Sequence, residues 1–299
     1  METTTPTPSP PTDPTTERTT EPYRLFHTTV RAAERISPGF VRVTLENDQL
    51  RHFAPYGLDQ RIKLVLPDAQ GHYADFWKVR EISPATRTWQ QLRNALPEAK
   101  RNLMRTYTPR AVRPELGQLD VDFVLHQDPG PASSWAMHAK PGHELVISGP
   151  DARAGNRIQG IQWQPGKASH LLLLGDETAF PAMRNIVAAQ APGTQLQAFL
   201  EVAEMADNLA WPKPSAPGLT SVRARNESPY GSQLRSLAMT WAKNSGAAAA
   251  RRGDDFFAWI AAEAALAAEL RHLLVRECGI ASSRVHFQGY WNAGPRRTQ

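Results

Sequence analysis

Three clusters of residues in this 299-residue chain have types and spacings that could do chemistry. The first is Arg105-Thr106-Tyr107-Thr108-Pro109-Arg110. Guanidinium forks suit phosphate oxygens, which accept paired hydrogen bonds. Tyr107 offers a flat apolar face with a polar tip, a platform for a planar ring system, and Thr108 can hydrogen-bond a ring edge. In a strand, alternate residues share a face. Arg105, Tyr107 and Pro109 then point one way and Thr106, Thr108 and Arg110 the other, so a ligand touching both sets lies at the strand's end or edge. The plainer reading is a set of surface arginines.

The second cluster runs from His126 to Trp135. Ala132, Ser133, Ser134 and Trp135 follow Gly130-Pro131 and open a helical turn, whose free N–H groups can hold a diphosphate. Ser133 and Ser134 could equally cap that turn, and His126 could be a structural histidine. The third cluster is Gly175-Asp176-Glu177-Thr178-Ala179, where an apolar strand feeds a helix. Open α/β sheets bind ligands beyond the carboxyl ends of their strands. The run matches neither GxGxxG nor a P-loop, and Asp176 and Thr178 could be plain caps.

The elements that position these residues change character along the chain. Thr28–Arg35, Phe40–Leu45, 61–66, Leu103–Val112, Gln118–His126 and His143–Ser148 read as short strands, with Ser37-Pro38-Gly39 a turn. Thr88–Leu103 has helical spacing broken by Pro97. Together they predict an antiparallel β-barrel over residues 23–155. His170–Leu174 is then a nearly continuous apolar run, as in a strand buried on both faces. Gln195–Val202, Leu219–Arg225, Phe256–Ala261 and Arg284–Tyr290 read as further strands. They largely alternate with helices over Pro181–Ala189, Leu234–Ala242 and Glu263–Glu277. This predicts a second domain, a parallel α/β sheet over 165–299. Ser245–Arg252 and the segment around Trp211-Pro212-Lys213-Pro214 read as surface loops.

Composition narrows the classes. Six of the 25 prolines and nine threonines crowd residues 1–22, which read as a disordered tail, or less simply as a Pro-rich docking ligand. Lys and Arg total 34 against 29 Asp and Glu, a net +5, but no basic block or nucleic-acid motif accompanies the excess. No run reaches the ~18–20 apolar residues of a membrane span. The N-terminus lacks a signal peptide's basic start and apolar core. One cysteine, Cys278, excludes an internal disulfide framework and reads as a packed thiol. The expectation is a cytoplasmic protein with no membrane or nucleic-acid partner, working as a monomer.

The combination of RTYTPR, HQDPGPASSWAMHAKPGHELVISGP, LLLLGDETAFPAMRNI and GYWNAG, in that order, resembles the siderophore-interacting protein family. Its members are FAD-dependent ferric-siderophore reductases similar in fold to ferredoxin–NADP reductases. The resemblance covers about residues 23 to 294. It implies an FAD-binding barrel followed by an NAD(P)H-binding α/β domain. It assigns Arg105, Tyr107, Thr108 and Arg110 to the flavin, and His126 with the 130–135 segment to its phosphates and adenosine. Gly175 to Ala179 fall on the nicotinamide side, and Lys63 meets the anionic ferric siderophore. No permanent metal ligand is implied.

Two positions depart from the family pattern. Asn292 follows Tyr290-Trp291 where a basic residue is usual, a loss that Arg296 and Arg297 could partly replace. Ala262 stands in a late Ala-Gly-Glu motif where a methyl replaces glycine's hydrogen. The implied reaction passes a hydride from NADPH or NADH to FAD, then single electrons to chelated Fe³⁺. Arg223 and Arg225 are candidates for a 2′-phosphate, alongside a reading as exposed arginines. A reductase with another electron acceptor, and a flavin- or siderophore-binding protein without efficient turnover, are the alternatives.

Overall fold

The computed structural model describes residues 23–74, 89–126, 129–155, 157–209, 211 and 218–293. The tail over 1–22, Lys213, Arg296 and Arg297 lie outside the described residues. Seven strands form the first sheet: β1 (Tyr23–Ser37), β2 (Phe40–Glu46), β3 (Ile62–Val65), β4 (Met104–Tyr107), β5 (Pro109–Arg113), β6 (Gln118–Val124) and β7 (Glu144–Pro150). Their order is β4-β3-β7-β1-β2-β6-β5, and every neighbouring pair is antiparallel.

The two edge strands, β4 and β5, are consecutive in the chain, with Thr108 alone between them. The sheet therefore rolls until its edges meet at Thr108, and Phe26, Val43, Leu64 and Val121 fill its interior. The single strand expected over Leu103–Val112 is thus two. Tyr107 ends a ladder with β3, and Pro109 starts one with β6. Proline has no N–H to donate, so an edge-strand start suits it.

The second sheet is parallel: β8 (His170–Asp176), β9 (Gln195–Val202), β10 (Gly218–Ala224), β11 (Phe256–Glu263) and β12 (Val285–Trp291), in the order β10-β9-β8-β11-β12. Leu171 and Leu173 of β8 enter one core, Leu172 and Leu174 the other. Both faces are buried, so the strand reads as an unbroken apolar run. The helix after β8, Phe180–Ala188, covers the face turned to the barrel. The opposite face is covered by helices Ser232–Trp241, Ala247–Arg252 and Ala264–His272.

Ala247–Arg252 corrects the loop expected over Ser245–Arg252. An alanine run has the highest helix propensity but no polar–apolar contrast from which to read a period. Ala249 and Ala250 pack on the core, and a Cβ at Gly246 would lie 2.6 Å from Cys278 Sγ. Cys278 is part-buried, and burial raises its pKa, which keeps it a thiol.

Three sets of polar contacts join the domains. Asp59 of the barrel accepts from the N–H groups of Gln162 (3.1 Å) and Trp163 (3.0 Å) and from Trp259 Nε1 (3.0 Å). Asp207 accepts from Ser37 Oγ (2.7 Å) and Gly39 N (2.6 Å), so the Ser37-Pro38-Gly39 turn docks on the α/β domain. Asn185 Nδ2 donates to the carbonyls of Leu58 (3.2 Å) and Pro109 (3.0 Å). Phe40 of the barrel packs edge-on against Phe180, 6.3 Å between centroids.

Candidate active site

A cleft of about 390 Å³ opens between the domains, within the size range of small-molecule sites. The barrel contributes Arg105, Thr106, Tyr107 and Thr108 from the seam, Asp122 and His126 from β6 and beyond it, and Ser133. The α/β domain contributes Thr178, Pro181 and the run Gln288 to Asn292. Arg105, Thr106, Tyr107 and Thr108, from both faces of the extended chain, line one space where it reaches the barrel seam, whereas Pro109 and Arg110 beyond it do not line the cleft.

The Tyr107 ring packs on Phe123 at 4.7 Å, and Phe123 on Trp135 at 5.9 Å. Trp135 therefore supports the tyrosine from behind and does not line the cleft. Burial pushes the Tyr107 hydroxyl up to about 12, so it stays neutral. Thr108 is buried, and it and Tyr290 line the cleft from opposite domains. Ser133 Oγ donates to Val124 O at 2.7 Å, fixing the helix Pro131–Met137 on the barrel. Ala132 of that helix is core, and Ser134 N closes its first turn on Gly130 O at 2.9 Å. His126 stacks obliquely on Trp291, 5.6 Å away. Burial lowers its pKa, Asp176 opposes that shift and Arg225 adds to it, which leaves a neutral imidazole at pH 7.

Of Gly175 to Ala179, Thr178 lines the cleft, and Gly175, Asp176, Glu177 and Ala179 are buried. A Cβ on Gly175 would lie 2.6 Å from Met183 Sδ and 2.8 Å from Ala179 Cβ, so this glycine is required by strand-to-helix packing. Asp176 is fully buried and accepts five hydrogen bonds: from Thr178 N, Thr178 Oγ1, the Tyr230 hydroxyl, Glu263 N and Trp291 Nε1. It is a cap, as one reading allowed, and also the joint between β8, β11 and β12. Glu177 is buried too, and both its oxygens meet Arg225, at 2.7 and 3.0 Å. Burial raises the Glu177 pKa and Arg225 holds it down. Arg225 also lies 3.5 Å from Glu201 and 5.2 Å from the Tyr230 ring. It is an internal counter-ion, which corrects its reading as an exposed or phosphate-facing arginine; Arg223 is exposed.

Lys63 lies beside the cleft. Its Nζ reaches Thr106 Oγ1 at 2.5 Å, and burial followed by repulsion from Arg61 lowers its pKa. Arg110 does not line the cleft, and its Nε is buried with no acceptor among the described residues. Arg61, Asp122 and Gln288 line the cleft without having been picked out from the sequence. Arg61 falls two residues before Lys63, a same-face spacing that could have marked it. The methyl of Ala262 packs in the core beneath Ala264–His272, on the far side of the sheet from the cleft.

The donor set fits FAD: an aromatic face, two arginines around it, and a buried guanidinium N–H awaiting an acceptor. A rolled antiparallel sheet joined to a five-stranded parallel sheet, with a cleft at the seam, defines a ferredoxin-reductase-like flavoprotein. At the level of fold alone, the ferredoxin reductase of carbazole 1,9a-dioxygenase superposes with a TM-score of 0.58 at 13% identity, over 91% of this chain and 70% of that one.

Residues 29–154 match the siderophore-interacting FAD-binding domain and residues 168–294 match the siderophore-interacting protein model, and the chain belongs to this family. The siderophore-interacting protein SipS from Aeromonas hydrophila has a TM-score of 0.66 at 26% identity, over 91% of this chain and all of that one (100%). The NADPH-dependent ferric-chelate reductase of Escherichia coli is 29% identical over 285 residues, 93% of this chain and 96% of that protein. Among the described residues no helix is long and apolar enough to cross a membrane.

Proposed function

We propose that this chain is an NADPH-dependent, FAD-containing reductase of ferric siderophores that releases Fe²⁺ in the cytoplasm. The observation that carries the reading is the single cleft to which the Arg105–Thr108 seam, Thr178 and the Gln288–Asn292 run all contribute. FAD, when bound, supplies the exchange between a two-electron hydride donor and a one-electron metal acceptor. Hard oxygen chelators grip Fe³⁺ better than the larger, softer Fe²⁺, so reduction loosens the substrate.

The chain's own task is to bind and orient. Tyr107 and His126 are neutral in the cleft and add no charge beside a stacked ring. Arg61 and Lys63 put two cations at the rim, where an anionic chelate would be drawn in. Asp176 holds Trp291 and Thr178 in place, and no general acid–base pair is needed for electron transfer. Arg105, Tyr107, Thr108, His126 and Ser133, which line the cleft, are the proposed FAD contacts, with Arg110 just past the seam. Gly175 to Ala179 would shape the approach of the nicotinamide.

One observation favours a different acceptor. Asn292 lines the cleft where a basic residue is usual in the family, so the pull on an anionic chelate is weaker there. Initial rates of NADPH oxidation with ferric catecholate and hydroxamate siderophores, ferredoxin and a quinone separate the two. Highest turnover with a ferric siderophore supports the proposal. Highest turnover with ferredoxin or quinone replaces it.

A further inference from the structure

Two arginines stand at the domain junction, one from each domain, and the acids near them are paired elsewhere. Asn185 of the helix Phe180–Ala188 donates to Pro109 O at 3.0 Å. Arg184 precedes Asn185 and Arg110 follows Pro109, so the two arginines flank one hydrogen bond from opposite domains. The Nε of each is buried and has no hydrogen-bond partner among the described residues. Neither forms an ion pair among the described residues.

The nearby acids are already engaged. Asp122 takes both arms of Arg42, at 2.7 and 2.9 Å. Asp120 takes both arms of Arg113, at 2.6 and 2.7 Å, and Thr44 at 2.9 Å. The Phe180 ring, 5.6 Å from the Arg184 guanidinium carbon, offers only a weak partner. Burial, with Arg110 beside it, pushes the Arg184 pKa down to about 10, so the group is still charged at neutral pH. Burial also lowers the Arg110 pKa. Desolvated like charges and orphaned donors are costly unless an anion joins them. Neither arginine lines the cleft itself, but Thr108, two residues before Arg110, and Pro181, one helical turn before Arg184, do, which sets the pair beside it.

We propose that Arg184 and Arg110 are the two arms of a clamp for one phosphate of a bound dinucleotide, one arm from each domain. The clamp rests on the dinucleotide reading of the cleft and adds Arg184, which lies in the GDETAFPAMRNI stretch but past the residues assigned to the nicotinamide side. A phosphate held this way bridges the domains, so occupancy of the cofactor site tightens the junction. The phosphate could belong to FAD or to NADPH, and the test separates them.

Full-length protein stripped of flavin is compared as wild type and Arg184→Gln. Inorganic pyrophosphate is the minimal probe in thermal melts. Calorimetry measures FAD on the stripped protein and NADP⁺ on the FAD-loaded protein. Pyrophosphate raises the melting temperature of the wild type and not of Arg184→Gln. The substitution weakens dinucleotide binding about tenfold, as loss of a charge-assisted fork should. A loss confined to FAD assigns the phosphate to the flavin dinucleotide, and one confined to NADP⁺ to the nicotinamide dinucleotide. Stripped Arg184→Gln melts no lower than stripped wild type, because one of two repelling charges is gone. Unchanged affinity for both dinucleotides overturns the clamp, as does a stripped variant melting several degrees below wild type. A wild type that binds no FAD defeats the underlying reading instead, a result distinct from FAD binding that ignores residue 184.

Discussion

The indole Nε1–H of Trp291 donates to Asp176 Oδ2 at 3.0 Å, tying the end of β12 to the end of β8 across β11. The same oxygen takes Glu263 N at 3.0 Å. One carboxylate thus holds three strand ends at the point where the strand order reverses, which is where open α/β sheets place ligands. Asp176→Ala strands several buried donors at once and should cost roughly 3 kcal/mol or more. Urea denaturation followed by tryptophan fluorescence reads both the lost stability and the altered Trp291 environment. A variant within ~0.5 kcal/mol of wild type would show that the joint is dispensable.

Gly175→Ala tests whether this glycine serves packing. The added Cβ would meet Met183 Sδ at 2.6 Å, Ala179 Cβ at 2.8 Å and Ala261 O at 3.2 Å. Overpacking of this kind costs about 1–3 kcal/mol, visible as a lower urea midpoint with an unchanged slope. A midpoint equal to that of wild type contradicts the packing argument.

Arg225→Ala removes the cation from buried Glu177 and should cost about 3 kcal/mol. Arg223→Ala, at an exposed position near the end of β10 and two residues before Arg225, should change stability by less than ~0.5 kcal/mol. If Arg225 instead served a 2′-phosphate, its loss would weaken NADPH selectively and leave the melting temperature nearly unchanged. Paired thermal melts and NADPH titrations distinguish these outcomes.

The domain plan was legible in the sequence because burial imposed it. Leu171 to Leu174 had to be apolar on both faces, and Gln195–Val202 forms a strand with the bounds its pattern predicted. Ser37-Pro38-Gly39 carried turn chemistry, although nothing local could reveal that Asp207 receives it. The split at Thr108 was hidden because both halves are extended and only their partners differ. Asp176 looked like a cap and is one. Its bonds to Tyr230 and Trp291 join residues 54 and 115 positions away, and no local pattern encodes such a distance. Arg184 was invisible for the same reason: its significance depends on Arg110 arriving from the other domain.

His126 sets a pH signature. Burial holds its folded pKa below the ordinary value of 6.5, so the unfolded chain binds its proton more readily. Stability should therefore be full above about pH 6.5 and fall as the pH drops below it, since the folded site resists charging. His286, also lowered by burial, adds to the same slope. Melting temperatures from pH 5 to 8 should fall less steeply at the acid end for His126→Gln than for wild type. Identical slopes would exclude His126 as a contributor.

Lys63→Ala should raise the KM for an anionic ferric chelate about three- to tenfold, the scale of one partly screened cation near a substrate. Bleaching of the bound flavin by NADPH should keep its rate, because Lys63 sits on the barrel rim beside Thr106. Equal effects on both half-reactions would place its role in the fold rather than in substrate capture.

The most direct test follows the visible spectrum of the purified protein without oxygen, first with NADPH and then with a ferric siderophore and a coloured Fe²⁺ trap. The expected record begins with flavin bands near-stoichiometric with protein, which bleach on NADPH. They return on the ferric siderophore as trapped Fe²⁺ accumulates at about two irons per flavin. A colourless protein, or a bleached flavin that recolours with oxygen or ferredoxin but not with any ferric siderophore, would contradict the proposed function.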